Sequence, residues 1–169
     1  MLATPRLFLV LSLTRGGGAA AAAGEPSGCD KFKWPIARPQ AALAAPAAGP
    51  LEPGAALPPD VGARLKVAPF AEAKLALPPE RAPRFSPSYA GAFPLAAPAA
   101  PTVFAATLSA NGWIDVVQDG KFLKSIAFSG AIDCPNVRKI VKFRLAAAPA
   151  TLQLVDVGDP EISIIVSPE

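Results

Sequence analysis

From Thr102 onward the chain runs in short apolar/polar alternations broken by turn-forming residues. The alternating runs are 103–109, 113–118, 121–128, 137–145, 151–157 and 161–166. Asn111-Gly112, Asp119-Gly120, residues 133–136, Ala148-Pro149 and residues 158–160 separate them. Alternation with a period of two marks half-buried strands, and no helical period intervenes, so the pattern predicts an all-β, antiparallel β-sandwich. "TLQLVDV" and "EISIIVS" are expected to close it as a terminal strand pair. Upstream, Leu65, Val67, Ala73, Leu75 and Leu77 alternate with Arg64, Lys66, Glu72 and Lys74. That pattern predicts further strands, with Pro69 at a turn or edge.

Proline divides the chain. Sixteen of 21 prolines lie between Pro26 and Pro101, and four follow Thr102. Proline donates no backbone hydrogen bond, so residues 38–60 read as an extended, partly polyproline-like linker, every alanine run being interrupted by proline. The expected organisation is a leader (1–23), a Cys-bearing Pro/Ala-rich N-terminal extension and linker (24–60) and a sandwich domain (61–169). In "CDKFKWPIARP" the aromatic residues Phe32 and Trp34 are expected to pack on the domain they are tethered to, with ligand stacking by Trp34 as the alternative.

The clearest stretch, "WIDVVQDGKFLKSIAF", raises a chemical question, because Asp115 and Asp119 stand four positions apart. A two-residue Asp-Gly loop suits a type I′ turn. Its register sets Val117 opposite Phe122, Asp115 opposite Lys124 and Trp113 opposite Ile126. Opposite charges facing each other across strands attract by about 0.2–1 kcal/mol. Asp115 and Lys124 are thus expected to be a structural cross-strand pair, with Asp119 making the turn, rather than two carboxylates of a catalytic dyad. In "VRKIVKFRL", Lys139, Val141, Phe143 and Leu145 share one face. Arg138, Ile140, Lys142 and Arg144 share the other, which is expected to be a solvated basic stripe or, alternatively, an anion-binding strip.

The first residues shape the expected compartment. Arg6, the apolar run Leu7 to Leu13 and the small-residue tract Gly16 to Ala23 have the layout of a secretory signal, with cleavage near Ala23. Arg15 departs from that layout, and a cytoplasmic protein with an Ala/Gly tail is the competing reading. The apolar run is too short for a membrane-spanning helix. Two cysteines in an exported chain predict a Cys29–Cys134 disulfide. "PSGC" leaves a lipidated Cys29 as the alternative. The expected location is periplasmic or secreted.

Charge and composition then narrow the chemistry. The formal charge is +3, but Arg6 and Arg15 belong to the leader. The remaining 14 basic and 13 acidic residues nearly balance, which points away from nucleic-acid binding. There is no histidine, so Ser-His-Asp and Cys-His nucleophile systems cannot be assembled from this chain alone. Two cysteines without histidine also make a structural zinc site a poor fit. Trp34, Phe85, Tyr89 and Phe93 could line a sugar-binding surface or simply fill a core. No Gly-rich phosphate loop occurs, and no cofactor is expected.

The hairpin Gly112 to Gly120 and the later "C…RK…F.L" strand, here Cys134, Arg138, Lys139, Phe143 and Leu145, carry a resemblance to uncharacterised exported proteobacterial proteins. The strand layout of roughly the last 100 residues also resembles the jelly-roll-like sandwiches of the bacterial pre-peptidase C-terminal domain group. The resemblance implies an accessory or binding sandwich and carries over no catalytic residue. The expectation is a non-enzymatic envelope protein that binds or plays a structural part, its partner an envelope protein, glycan or lipid headgroup. The alternative is a carbohydrate-binding module. Trp34, Tyr89, Arg138, Lys142 and Arg144 are the candidate ligand surface.

Overall fold

Two sheets face each other across an apolar core. A computed structural model describes residues 24–169, so the expected leader, 1–23, lies outside the described residues. The six-stranded sheet has the order β1 (Ala48–Leu51), β2 (Ala63–Lys66), β11 (Glu161–Pro168), β5 (Thr102–Leu108), β9 (Lys139–Leu145) and β8 (Ala127–Gly130). The five-stranded sheet has the order β3 (Ala68–Pro69), β4 (Tyr89–Leu95), β10 (Ala150–Val157), β6 (Trp113–Gln118) and β7 (Lys121–Phe122). The β1–β2 pair is parallel and the other strand pairs are antiparallel. The architecture is the antiparallel-dominated β-sandwich that the alternation predicts.

The inward set follows from the period of two. Leu65, Phe104, Phe143 and Ile164 from one sheet meet Phe93, Val116, Leu152 and Leu154 from the other. Phe104 and Phe143 stack with centroids 5.6 Å apart. Each such side chain, fully removed from water, contributes about 1.5–3 kcal/mol before entropic costs.

Several expectations need correcting. First, the Asp-Gly turn forms with positive φ at both Asp119 (52°) and Gly120 (70°), as a type I′ turn requires. Pairing begins in the expected register, Gln118 with Lys121 and Val117 with Phe122, but β7 ends there. Residues 121–128 are not one strand: the chain leaves the five-stranded sheet after β7 and resumes as β8 in the six-stranded sheet. Second, β10 and β11 lie in different sheets and do not pair. Three residues can reach about 10 Å, the gap between packed sheets, so residues 158–160 serve an inter-sheet arch as readily as a hairpin. Third, residues 38–60 are no extended linker. Helix α1 (Ala37–Ala44) accommodates Pro39 in its first turn, where backbone N–H groups have no partner within the helix. Strand β1 follows it.

The extension is built into the sandwich. Its α1 lies so close to Gly62 that a Cβ there would come within 2.1 Å of Ala42 O. Leu43, Val137, Ile140 and Ile165 form a second buried cluster with Phe32, Trp34 and Ile36 packed around it. The outer face of the six-stranded sheet is thus covered by the chain's own N-terminal segment, and Cys29 and Cys134 are disulfide-bonded across 105 residues of sequence. Further strand-like structure at Ala73 to Leu77 is absent, since the segment after β3 makes a short 3-10 turn, Phe70–Glu72, and then loops over the other sheet.

Candidate functional site

That loop explains the acidic residue in the hairpin. Asp115 points outward from β6, yet is buried (2 % exposed), because the proline-rich segment 73–88 covers it. Trp113 Nε1–H donates to Asp115 Oδ1 at 2.6 Å. Asp115 Oδ2 accepts from Glu80 N and from Gln153 Nε2, each at 3.3 Å. Gln153, fully buried on the neighbouring strand β10, exchanges hydrogen bonds with the backbone of Leu77. At the end of β10, Asp156 accepts from Arg84 N (2.8 Å), Phe85 N (3.2 Å) and Arg84 Nε (3.0 Å). Burial pushes the Asp156 carboxyl upward, but these donors and the Arg84 charge outweigh it and hold it below the usual carboxylate value. Asp115, Gln153 and Asp156 therefore form a row of buried acceptors and donors that fixes the loop onto the sheet.

The expected Asp115–Lys124 pair does not form. Strand β7 stops before Lys124 can come opposite Asp115, and Lys124 is exposed among residues leaving the sheet. The partner directly across from Asp115 is Gln153. Asp119 is exposed at the turn, so the two aspartates do not converge.

The candidate ligand surface also resolves into separate places. Lys142 and Trp34 meet under the extension, the ammonium 4.0 Å from the indole centroid, and Lys142 pairs with Glu169. Arg138 holds both carboxylate oxygens of Glu25 at 2.7 Å. The expected solvated stripe is thus largely consumed by intramolecular contacts, and Arg144 is its exposed member. Tyr89 lies in the other sheet, half-buried against the main core, so it shares no surface with Trp34. With its sulfur in the disulfide, Cys29 is not available for the lipidation alternative.

One end of the sandwich stays open. A cleft of about 480 Å³ is lined by the core residues Leu57, Leu95, Phe104, Leu145 and Val166 and rimmed by residues 96–101 with Ser167 and Pro168. Its lining is apolar except for Thr102 and Ser167, and the Thr102 hydroxyl is engaged with the Val103 and Glu169 carbonyls. Small-molecule sites occupy about 300–1,000 Å³ and are mostly apolar. The alternation marks Phe104, Leu145 and Val166 only as core, and Leu57 falls in the expected linker. The signal that one end stays open is the run "LAAPAAP", whose small residues and prolines cannot cap it with bulk.

Among the described residues no three His, Cys, Asp or Glu side chains cluster as metal ligands, and no helix is long and apolar enough to cross a membrane. No family model, curated protein or solved structure matches the chain.

Proposed function

We propose that this chain is an exported, non-catalytic binding module of the bacterial envelope, and that it holds an apolar small molecule or lipid acyl chain in the cleft at the sandwich end. The observation that carries the reading is the cleft itself, an apolar opening that reaches core residues of both sheets, whereas the chain's own segments pack on parts of both outer faces. Such a site would bind through burial of apolar surface, with few directional contacts. The Cys29–Cys134 disulfide supports an oxidising compartment, and the leader-like residues 1–23 agree with it. Kinship with the pre-peptidase C-terminal sandwiches belongs to the same proposal and rests on the hairpin and strand pattern alone.

The carbohydrate-binding alternative finds less support. Arg81 lies over the Trp113 ring at 4.4 Å and Lys142 over Trp34 at 4.0 Å, so neither indole offers a free stacking platform there. Titration with a dansyl-labelled fatty acid tests the proposal. Saturable fluorescence enhancement, weakened when Ala99→Trp crowds the cleft rim, is the expected result. A glycan array with binders and no fatty-acid binding would favour the alternative.

A further inference from the structure

A second site lies away from the cleft, where the proline-rich loop meets the start of β9. Arg81 and Arg84 from the loop and Lys139 from β9 line one small hollow together with Trp113, Gly112 and Asp156. Each cation stands over an aromatic ring: Arg81 on Trp113 at 4.4 Å, Arg84 on Phe85 at 5.4 Å and Lys139 on Phe128 at 6.0 Å. Phe85 and Phe128 are exposed at 49 % and 51 %, so the cations sit between a polar hollow and an accessible aromatic margin.

The charges in this hollow do not balance. Its carboxylate, Asp156, is occupied by Arg84 and two backbone N–H groups. Among the described residues, Arg81 and Lys139 have no carboxylate within ion-pair distance. The Lys139 ammonium, on the inward face of its strand, donates to Gly112 O, which leaves two of its three N–H donors. Burial, followed by the charges of Arg138, Arg84 and Arg81, brings its pKa down to about 8, and Glu25, held by Arg138, offsets this only in part. A half-buried cation without a counter-charge carries part of the desolvation cost, and a bound anion would offset it.

We propose that this hollow is an oxyanion site, in which Lys139 and Arg81 grip one phosphate, sulfate or carboxylate group while Phe128 and Phe85 flank the molecule that carries it. The enclosed volume is only about 20 Å³, room for about one water-sized group. One or two oxygens of the anion enter, and the rest of the ligand lies at the mouth. That geometry selects a terminal anionic group, on a small molecule, a glycan or a lipid headgroup. The site is separate from the apolar cleft and does not depend on it.

The test measures the rise in unfolding temperature and the protection of Lys139 from a limiting amine-acylating reagent at pH 8, read by peptide mass spectrometry. Inorganic phosphate, glucose 6-phosphate and phosphatidylglycerol vesicles are compared with chloride at matched ionic strength. Saturable protection by phosphate is expected, with tighter binding of the sugar phosphate or of the vesicles telling a glycan from a lipid source. Lys139→Met and Arg81→Met should each weaken phosphate at least about tenfold, the loss of one charge-assisted hydrogen bond, while Arg144→Met leaves it unchanged. Circular dichroism checks that each variant folds, and Arg81→Met decides the matter if Lys139→Met does not. No effect of any of the three ligands beyond chloride, or full phosphate protection in a folded Arg81→Met protein, overturns the proposal.

Discussion

The Trp113 indole donates to the Asp115 carboxylate at 2.6 Å across a single intervening residue of β6. Two side chains on the same face of one strand thus form a clamp, and the other oxygen of Asp115 reaches the loop at Glu80 and the next strand at Gln153. An acid that resembles half of a catalytic pair is a fastener for a proline-rich cover.

Removing that fastener has a defined cost. Asp115→Ala leaves the donors on Trp113, Glu80 and the fully buried Gln153 without their acceptor, and the expected destabilisation is about 2–4 kcal/mol. Lys124→Ala, at an exposed position with no contact to Asp115, should stay within about 0.5 kcal/mol. Urea unfolding followed by circular dichroism separates the two. Equal losses would restore the cross-strand pair.

Asp156 adds a pH dependence. Its folded carboxyl sits below the usual value, so the unfolded chain binds the proton more tightly. The stabilisation is therefore complete above the ordinary carboxylate value and is lost as pH falls through the lower folded value. Asp156→Asn should unfold more easily than the wild type at pH 7, by about 1–2 kcal/mol. The gap should close in acid below about pH 4. Unfolding free energies measured across that range check both the sign and the window. Asp156 has φ 59°, a conformation asparagine tolerates, so backbone strain does not confound the comparison.

The disulfide ties the extension to the β8–β9 connection. Its reduction, or the double change Cys29→Ser and Cys134→Ser, should cost about 2–5 kcal/mol, the range for a bridge that closes a long loop. The loss should expose Trp34 first, since that ring sits between the extension and Lys142. A red shift of tryptophan emission in the reduced protein, abolished by Trp34→Phe, reports it.

Much of the fold was legible because period-two alternation needs no knowledge of partners. The run 113–118 emerges as β6 with those bounds, and the Asp119-Gly120 turn has the expected backbone. Alternation cannot say which sheet a strand joins. Residues 121–128 keep their pattern through Lys124 and Ser125, where the chain changes sheets, and Asp115 is assigned the wrong partner for that reason. Lys142 looks like a solvated residue because its cover comes from Trp34, more than 100 positions earlier in the chain, held by a bridge whose packing consequences the local pattern does not encode. The α1 helix escapes notice because its proline falls where a helix tolerates one. The cleft is hidden for a different reason: Phe104, Leu145 and Val166 obey the same alternation as the rest of the core, Leu57 falls in the expected linker, and only the third dimension brings them together around an opening.

The apolar cleft at the sandwich end is the proposed binding site, and a fatty-acid titration tests this claim most directly. The dansyl-labelled probe should bind wild-type protein saturably with one site per chain. Ala99→Trp should weaken it at least about tenfold, or about 1.4 kcal/mol, with the unfolding temperature unchanged. Absence of saturable binding, or equal affinity in a folded Ala99→Trp protein, would contradict the proposal.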